Sequence, residues 1–253
     1  MRMDVSNHES PTAAILLIGN ELLSGKVDDE NGKFLIHELR DLGVDVCELR
    51  IVPDIVDRIA ISIRELASLH DHVFTSGGVG PTHDDLTMAS VAAAFDVGMD
   101  VNQGLADRIR QHHPNGEQVE PWLKMANVPV GSNLLYAGDV WWPVFMMENV
   151  YVLPGIPEMF RRQFTAIRDR FKADRLLLRS VYLRVGEGLI AAPLTRASVA
   201  FPRVMFGSYP VLHVPEYHVK VTLESHCREE LDRAFIALVA EISCQHVYKV
   251  VDS

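Results

Sequence analysis

The chain has 253 residues, 48% of them hydrophobic, and 24 Lys and Arg against 34 Asp and Glu give it a formal net charge of −10. That length and apolar content suit one large domain plus a small one, while the acidic balance and the lack of any Lys/Arg block exclude a nucleic-acid binder that works by counterion release. Cys47, Cys227 and Cys244 are too few and too widely spaced for a disulfide framework, and the polar start MRMDVSNHESP carries no signal-peptide core, so a cytoplasmic protein without a membrane span is expected, residues 1–12 being a flexible N-terminal segment.

From Ala13 onward the segments alternate in type. AAILLIG is a continuous apolar run ending in glycine, as suits a strand buried on both faces. NELLSGKVDDEN reads as a loop, and GKFLIHELRDLG as a helix with Phe34, Leu35, Leu39 and Leu42 on one stripe and Gly43 as its C-terminal stop. VDVCELRIV reads as a second strand, followed by a helix carrying Ile55, Ile59, Ile63 and Leu66, with Asp54 placed to cap it. DHVFTSG is strand-like, and DDLTMASVAAAFDV gathers Met88, Val91, Ala92 and Phe95 on a helix. Such an alternation builds a doubly wound α/β fold, a three-layer sandwich around a mostly parallel sheet, with ligands beyond the carboxyl ends of the strands. The loops GNELLSG, VPD and TSGGVGPTHDD should then open on one edge of the sheet.

Two short helices are expected around HHPNG, then a hairpin turning at Glu148 and Asn149 and a helix entered through Pro157. After Lys172 the pattern changes. LLLRSVYLRV, FPRVMFG and EYHVKVTLE alternate apolar and polar residues as antiparallel strands do, with helices near 187–199 and 228–243. The expected division is an α/β domain over 13–173 and a small α+β domain over 174–253.

The stretch Thr75–Asp85 carries the most chemistry. Gly77, Gly78 and Gly80 permit positive φ and let backbone amides approach an anion, and the following helix adds its dipole: a phosphate seat. The spacing fits neither a dinucleotide fingerprint nor a Walker loop, so a bare strand-to-helix turn competes with the ligand site. Thr82 and Asp85 stand at capping-box spacing, which accounts for Asp85 structurally but leaves Asp84 unexplained. Two carboxylates beside a phosphate repel it unless a divalent cation lies between, Mg²⁺ by default and Co or Mn as alternatives. Glu21 and Asp54, on the other two loops, are further acids for the same edge.

IGNELLSGKVDDEN, VPD, SGGVGPTHDDLT, KMANVPVGS and NVYVLPGIPEMF, in that order, resemble the molybdopterin-binding, MoaB/Mog-like family, and within it the CinA N-terminal branch, which includes the similar domain fused to FAD synthase. GSYP and YHVKVTLES resemble the small trailing domain of that branch. The resemblance implies a phosphorylated pterin or nucleotide at the glycine loop, with Asn20, Glu21, Gly77, Gly78, Val79, Gly80, Pro81, Thr82, Pro154 and Gly155 binding it. It implies catalytic roles for Asp54, Asp85 and Lys124, a metal held by Glu21, Asp84 and Asp85, and metal-dependent hydrolysis of ADP-ribose or FAD-type pyrophosphates. Adenylyl transfer to molybdopterin, in molybdenum cofactor synthesis, and a non-enzymatic binding module are the alternatives. Relatives assemble as dimers or trimers, so a homo-oligomer is expected. One departure stands out: GDVWWPVF, where many CinA-like chains carry small residues, places Trp141 and Trp142 to stack on a ligand ring or to fill the core.

Overall fold

The computed structural model describes residues 10–113, 119–136 and 140–252. By internal contacts these fall into two units divided after Ala173. The first unit opens with β1 (Thr12–Ile18), α1 (Asn20–Leu23), α2 (Asn31–Asp41), β2 (Asp45–Val52), α3 (Val56–Leu69), β3 (His72–Ser76) and α4 (Thr87–Phe95). It continues through β4 (Met99–Val101), α5 (Gln103–His112), α6 (Val119–Leu123), β5 (Asn127–Pro129), β6 (Asn133–Leu135), β7 (Val144–Met147), β8 (Val150–Leu153) and α7 (Pro157–Ile167).

β1 is apolar throughout because both of its faces are covered. Ala14, Leu16 and Ile18 pack with Ile59 and Ile63 of α3 and Val91 of α4. The alternate residues Ala13, Ile15 and Leu17 pack with Leu35 and Leu39 of α2 and Phe160 and Phe164 of α7. Period-two alternation therefore feeds two cores, which is the doubly wound arrangement. The main sheet runs β2-β1-β3-β8-β7-β6, parallel from β2 to β8 and antiparallel beyond. After β1 the chain steps to one side for β2 and returns to the other side for β3. The order reverses between β1 and β3, and the loops leaving these two strands frame the crevice where such sheets take ligands.

Local signals explain the element ends. α2 stops in a Schellman turn: Gly43, at φ 81, donates to Arg40 O, and Val44 donates to Leu39 O. Glu148 turns the β7–β8 hairpin at φ 51, and Pro157 opens α7. The structure departs from the sequence reading in places. NELLSGKVDDEN holds the one-turn helix α1, and α3 is flanked by Ile55 with no side-chain cap, so Asp54 is not its N-cap. Of the segment 1–12 expected to be flexible, residues 1–9 lie outside the described residues, while Thr12 already belongs to β1 and Pro11 O accepts from Asp45 N.

The second unit contains β9 (Leu177–Leu183), α8 (Glu187–Ala200), β10 (Met205–Pro210), β11 (Val219–Ser225), α9 (Arg228–Ile242) and β12 (Val247–Asp252). Its sheet, β10-β11-β9-β12, is antiparallel at every pairing. A β-α-β-β-α-β order with this strand arrangement is the split βαβ, ferredoxin-like form of an α+β unit. Val181, Leu183, Val221 and Leu223 face Leu231, Ala234 and Leu238 of α9, so the helices cover one face of this sheet. The strand expected over FPRVMFG starts only at Met205, because α8 continues to Ala200 and Val204 N turns back onto Phe201 O. β12 was not anticipated from the sequence.

Candidate functional site

The glycine loop begins where β3 ends, and three strand ends meet around Gly77. Its N–H donates to Leu153 O at the end of β8 (3.3 Å), and a Cβ placed on it would fall 2.1 Å from Ile18 O at the end of β1. With φ at 105, only glycine fits. Gly155 closes the other side, a Cβ there lying 3.3 Å from Gly77 Cα. Thr87, fully buried at the start of α4, donates its hydroxyl to Gly77 O (2.8 Å) and its amide to Gly78 O (3.1 Å). The loop's carbonyls are thereby tied to the following helix. The amides of Gly78, Val79 and Gly80 have no protein acceptor among the described residues, and Gly78 holds φ 61. Oriented N–H groups without partners form an anion seat.

A cleft of about 210 Å³ opens over these amides. Gly78, Val79, Gly80, Pro81, Thr82 and Asp85 of the loop line it together with Met88 and Ala89 of α4 and with Met99, Lys124, Met125, Asn127 and Trp142. Lys124 heads a short 3-10 turn that leads into β5. The structure therefore brings Lys124 and Asp85 to the same cleft as the glycine amides.

The acids behave differently from one another. Asp85 Oδ2 accepts from both the amide and the hydroxyl of Thr82, each at 2.7 Å, and its carboxylate lies against Gly80. The return of Asp85 to the Thr82 amide is as expected, but it closes a turn and not a helix: α4 starts at Thr87, behind Leu86 with no side-chain cap. Asp84 also reaches the Thr82 hydroxyl, which holds its carboxyl below the usual carboxylate range; its own backbone N–H and the neighbouring His83 act in the same direction. One hydroxyl has one proton, so two carboxylate oxygens converge on a group that serves only one of them.

The remaining candidates sit elsewhere. Asp54 Oδ2 accepts from Asn20 N (2.8 Å), tying the loop after β2 to the loop after β1, and neither residue borders the cleft. The Glu21 carboxylate folds back over Gly19. No three His, Cys, Asp or Glu side chains group as metal ligands among the described residues, so Glu21 does not complete a set with Asp84 and Asp85. Pro154 and Gly155 lie behind the loop: Pro154 O accepts from Ser76 Oγ and Gly155 O from Asn31 Nδ2 (2.7 Å). Trp142 is buried against Phe145, and Trp141 stacks flat on His112 with ring centroids 3.9 Å apart. Met99 had no part in the sequence reading of the site, whereas Thr87 belongs to the SGGVGPTHDDLT stretch, and Met125 and Asn127 to the KMANVPVGS stretch, that carried the resemblance.

Residues 14–173 match the family described as "Probable molybdopterin binding domain". The chain belongs to this molybdopterin-binding-domain family. A second match, to "FAD synthase, middle domain", covers 175–251. The chain is 30% identical to "Probable FAD synthase" of Caenorhabditis elegans, over 93% of this chain and 50% of that protein. It is 32% identical to a "CinA-like protein" of Myxococcus xanthus, over 92% of this chain and 58% of that one. The chain thus spans about half the length of these curated relatives. Among solved structures, the CinA protein of unknown function from Thermoplasma acidophilum superposes with a TM-score of 0.59 at 25% identity, covering 64% of this chain and 98% of that one. In this molybdopterin-binding-domain fold the cleft opens at the loop leaving β3, one of the two strands between which the strand order reverses. No helix among the described residues is long and apolar enough to cross a membrane.

Proposed function

We propose that the cleft hydrolyses the pyrophosphate of a nucleotide-type ligand, an ADP-ribose or FAD-type dinucleotide, with a divalent cation as cofactor. The observation that carries this reading is the convergence of the unpartnered Gly78, Val79 and Gly80 amides with Asp85 and Lys124 on one cleft. The amides receive phosphate oxygens, and the Lys124 ammonium offsets their charge. Asp84 and Asp85 suit a hard cation that keeps part of its water shell, since Mg²⁺ binds through one or two carboxylates plus substrate phosphates. Bound there, such a cation supplies neutralisation of the developing phosphate charge. The chain's own contribution is positioning: Thr87 fixes the loop and Thr82 fixes Asp85.

The match of residues 175–251 to an FAD synthase middle domain, and the worm relative named as a probable FAD synthase, support a flavin-adenine dinucleotide as the ligand class. Incubating the purified chain with Mg²⁺, Mn²⁺ or Co²⁺ and either FAD or ADP-ribose should release AMP. Absence of AMP with all three metals overturns hydrolysis. AMP delivered to added molybdopterin instead of water assigns the cleft to adenylyl transfer.

A further inference from the structure

The second unit presents a feature that the glycine-loop cleft does not explain. The helices α8 and α9 cover one face of its sheet; the other face carries a cross-strand row. Tyr209 on β10 pairs with Lys220 on β11, which pairs with Tyr182 on β9, which pairs with Lys249 on β12. Side chains directly opposite in an antiparallel ladder share a face, so tyrosine and lysine alternate across all four strands. The next row inward is small, Gly207, Thr222 and Ser180. A Cβ on Gly207 would fall 2.8 Å from the Tyr209 ring, so glycine lets that ring lie down on the sheet, where Tyr209 remains 53% exposed.

More rings gather at one end of the row. Tyr217 meets Tyr182 edge-on at 4.9 Å and stacks on Tyr248 at 5.6 Å. Lys249 Nζ lies 4.4 Å from the Tyr182 ring centre, and Arg184 lies over Tyr248. None of Lys220, Lys249 and Arg184 has a carboxylate partner among the described residues, in a chain whose formal charge is −10. Along the chain, Asp252 lies three residues from Lys249 and pairs with Arg179, while Glu216 and Glu224 each lie four residues from Lys220. An acidic protein has thus kept unneutralised cations together with open tyrosine faces on one surface.

We propose that this face binds a mononucleotide: a flat heterocycle stacks on the tyrosines, and Lys220 and Lys249 take its phosphate. Rings stack on aromatic side chains whatever their substituents, and an ammonium placed beside them selects a phosphorylated ligand. Three cations balance one phosphate group and not a long polyanion, which favours a mononucleotide over a nucleic-acid strand. The inference does not depend on the glycine loop having hydrolase activity.

Calorimetry of the whole chain with AMP and with adenosine tests it. The paired substitution Lys220→Ala and Lys249→Ala should weaken AMP binding at least tenfold, down to the affinity for adenosine, and Tyr209→Ala should weaken both ligands. The pair Lys220→Arg and Lys249→Arg should restore AMP binding, and Asp85→Asn, at the other site, should leave this binding event unchanged. AMP binding whose stoichiometry and affinity are both unchanged in the double alanine variant, or that vanishes entirely with Asp85→Asn, overturns the proposal. So does a single-stranded oligonucleotide that binds this face far more tightly than AMP, with an affinity that falls steeply with salt.

Discussion

Asp85 Oδ2 holds the Thr82 amide at 2.7 Å, while no hydrogen bond to Oδ1 occurs among the described residues. One carboxylate thus closes a turn and also borders the cleft, and the two roles separate by substitution. Asp85→Asn retains an acceptor for the amide and should change stability by less than about 1 kcal/mol, while abolishing metal-dependent turnover. Asp85→Ala removes the acceptor and should cost about 1 kcal/mol more. Thermal melting beside an AMP-release assay reads both; equal melting of the two variants would dissociate Asp85 from the turn.

Gly77 and Gly131 both hold positive φ, 105 and 87, but only Gly77 is crowded. Gly77→Ala drives a methyl into Ile18 O and should destabilise by about 3 kcal/mol, whereas Gly131→Ala meets nothing and should cost about 1 kcal/mol of backbone strain. Urea unfolding at constant m-value compares the two.

Lys124 lines the same cleft as the glycine amides. Lys124→Ala should weaken binding of a phosphorylated ligand by about 10- to 100-fold, the worth of one charge-assisted hydrogen bond, with melting unchanged. Titration with ADP-ribose checks it, and an unaltered affinity would remove Lys124 from the site.

His72 packs its ring 5.1 Å from Phe171, and Nδ1 is buried without a partner. Burial pushes its pKa below the usual imidazole value, with nearby Asp71 opposing weakly, and burial lowers His70 likewise. Between the depressed folded value and about 6.5, the unfolded chain therefore binds more protons than the folded one. Their contribution to stability should be complete above pH about 6.5 and fade as pH falls toward the folded value. Melting temperature measured from pH 8 to 5 should show this slope, and His70→Gln with His72→Phe should flatten it.

Much of the first unit was legible because β1 to β3 and α2 to α4 are each specified by their own neighbours: AAILLIG shows two-sided burial in seven residues, and Gly43 marks the end of α2. The three-residue β4, β5 and β6 were not read. Asp54 was misread because a local rule, aspartate before a helix, lost to a longer reach: its carboxylate serves Asn20 N, 34 residues away. Glu21 shows the same limit. Loops that share an edge of a sheet need not aim their side chains at one point, and sequence reports the edge only. β12 went unread because VYKVVD lacks alternation; its residues are mostly exposed, and Lys249 and Val250 become a strand through pairing with Tyr182 and Val181. The tyrosine and lysine row needed register across four strands, which no single segment contains.

The loop that lines the cleft is anchored through main chain: Gly77 is wedged against Ile18 O, Leu153 O and Gly155. Side-chain replacement cannot remodel such an anchor, whereas Met99, Met125 and Trp142, which also line the cleft, can be exchanged without touching it. On the function proposed above, relatives that keep the loop would keep its hold on phosphate and differ in what the phosphate is attached to, so a change of substrate should trace to those residues.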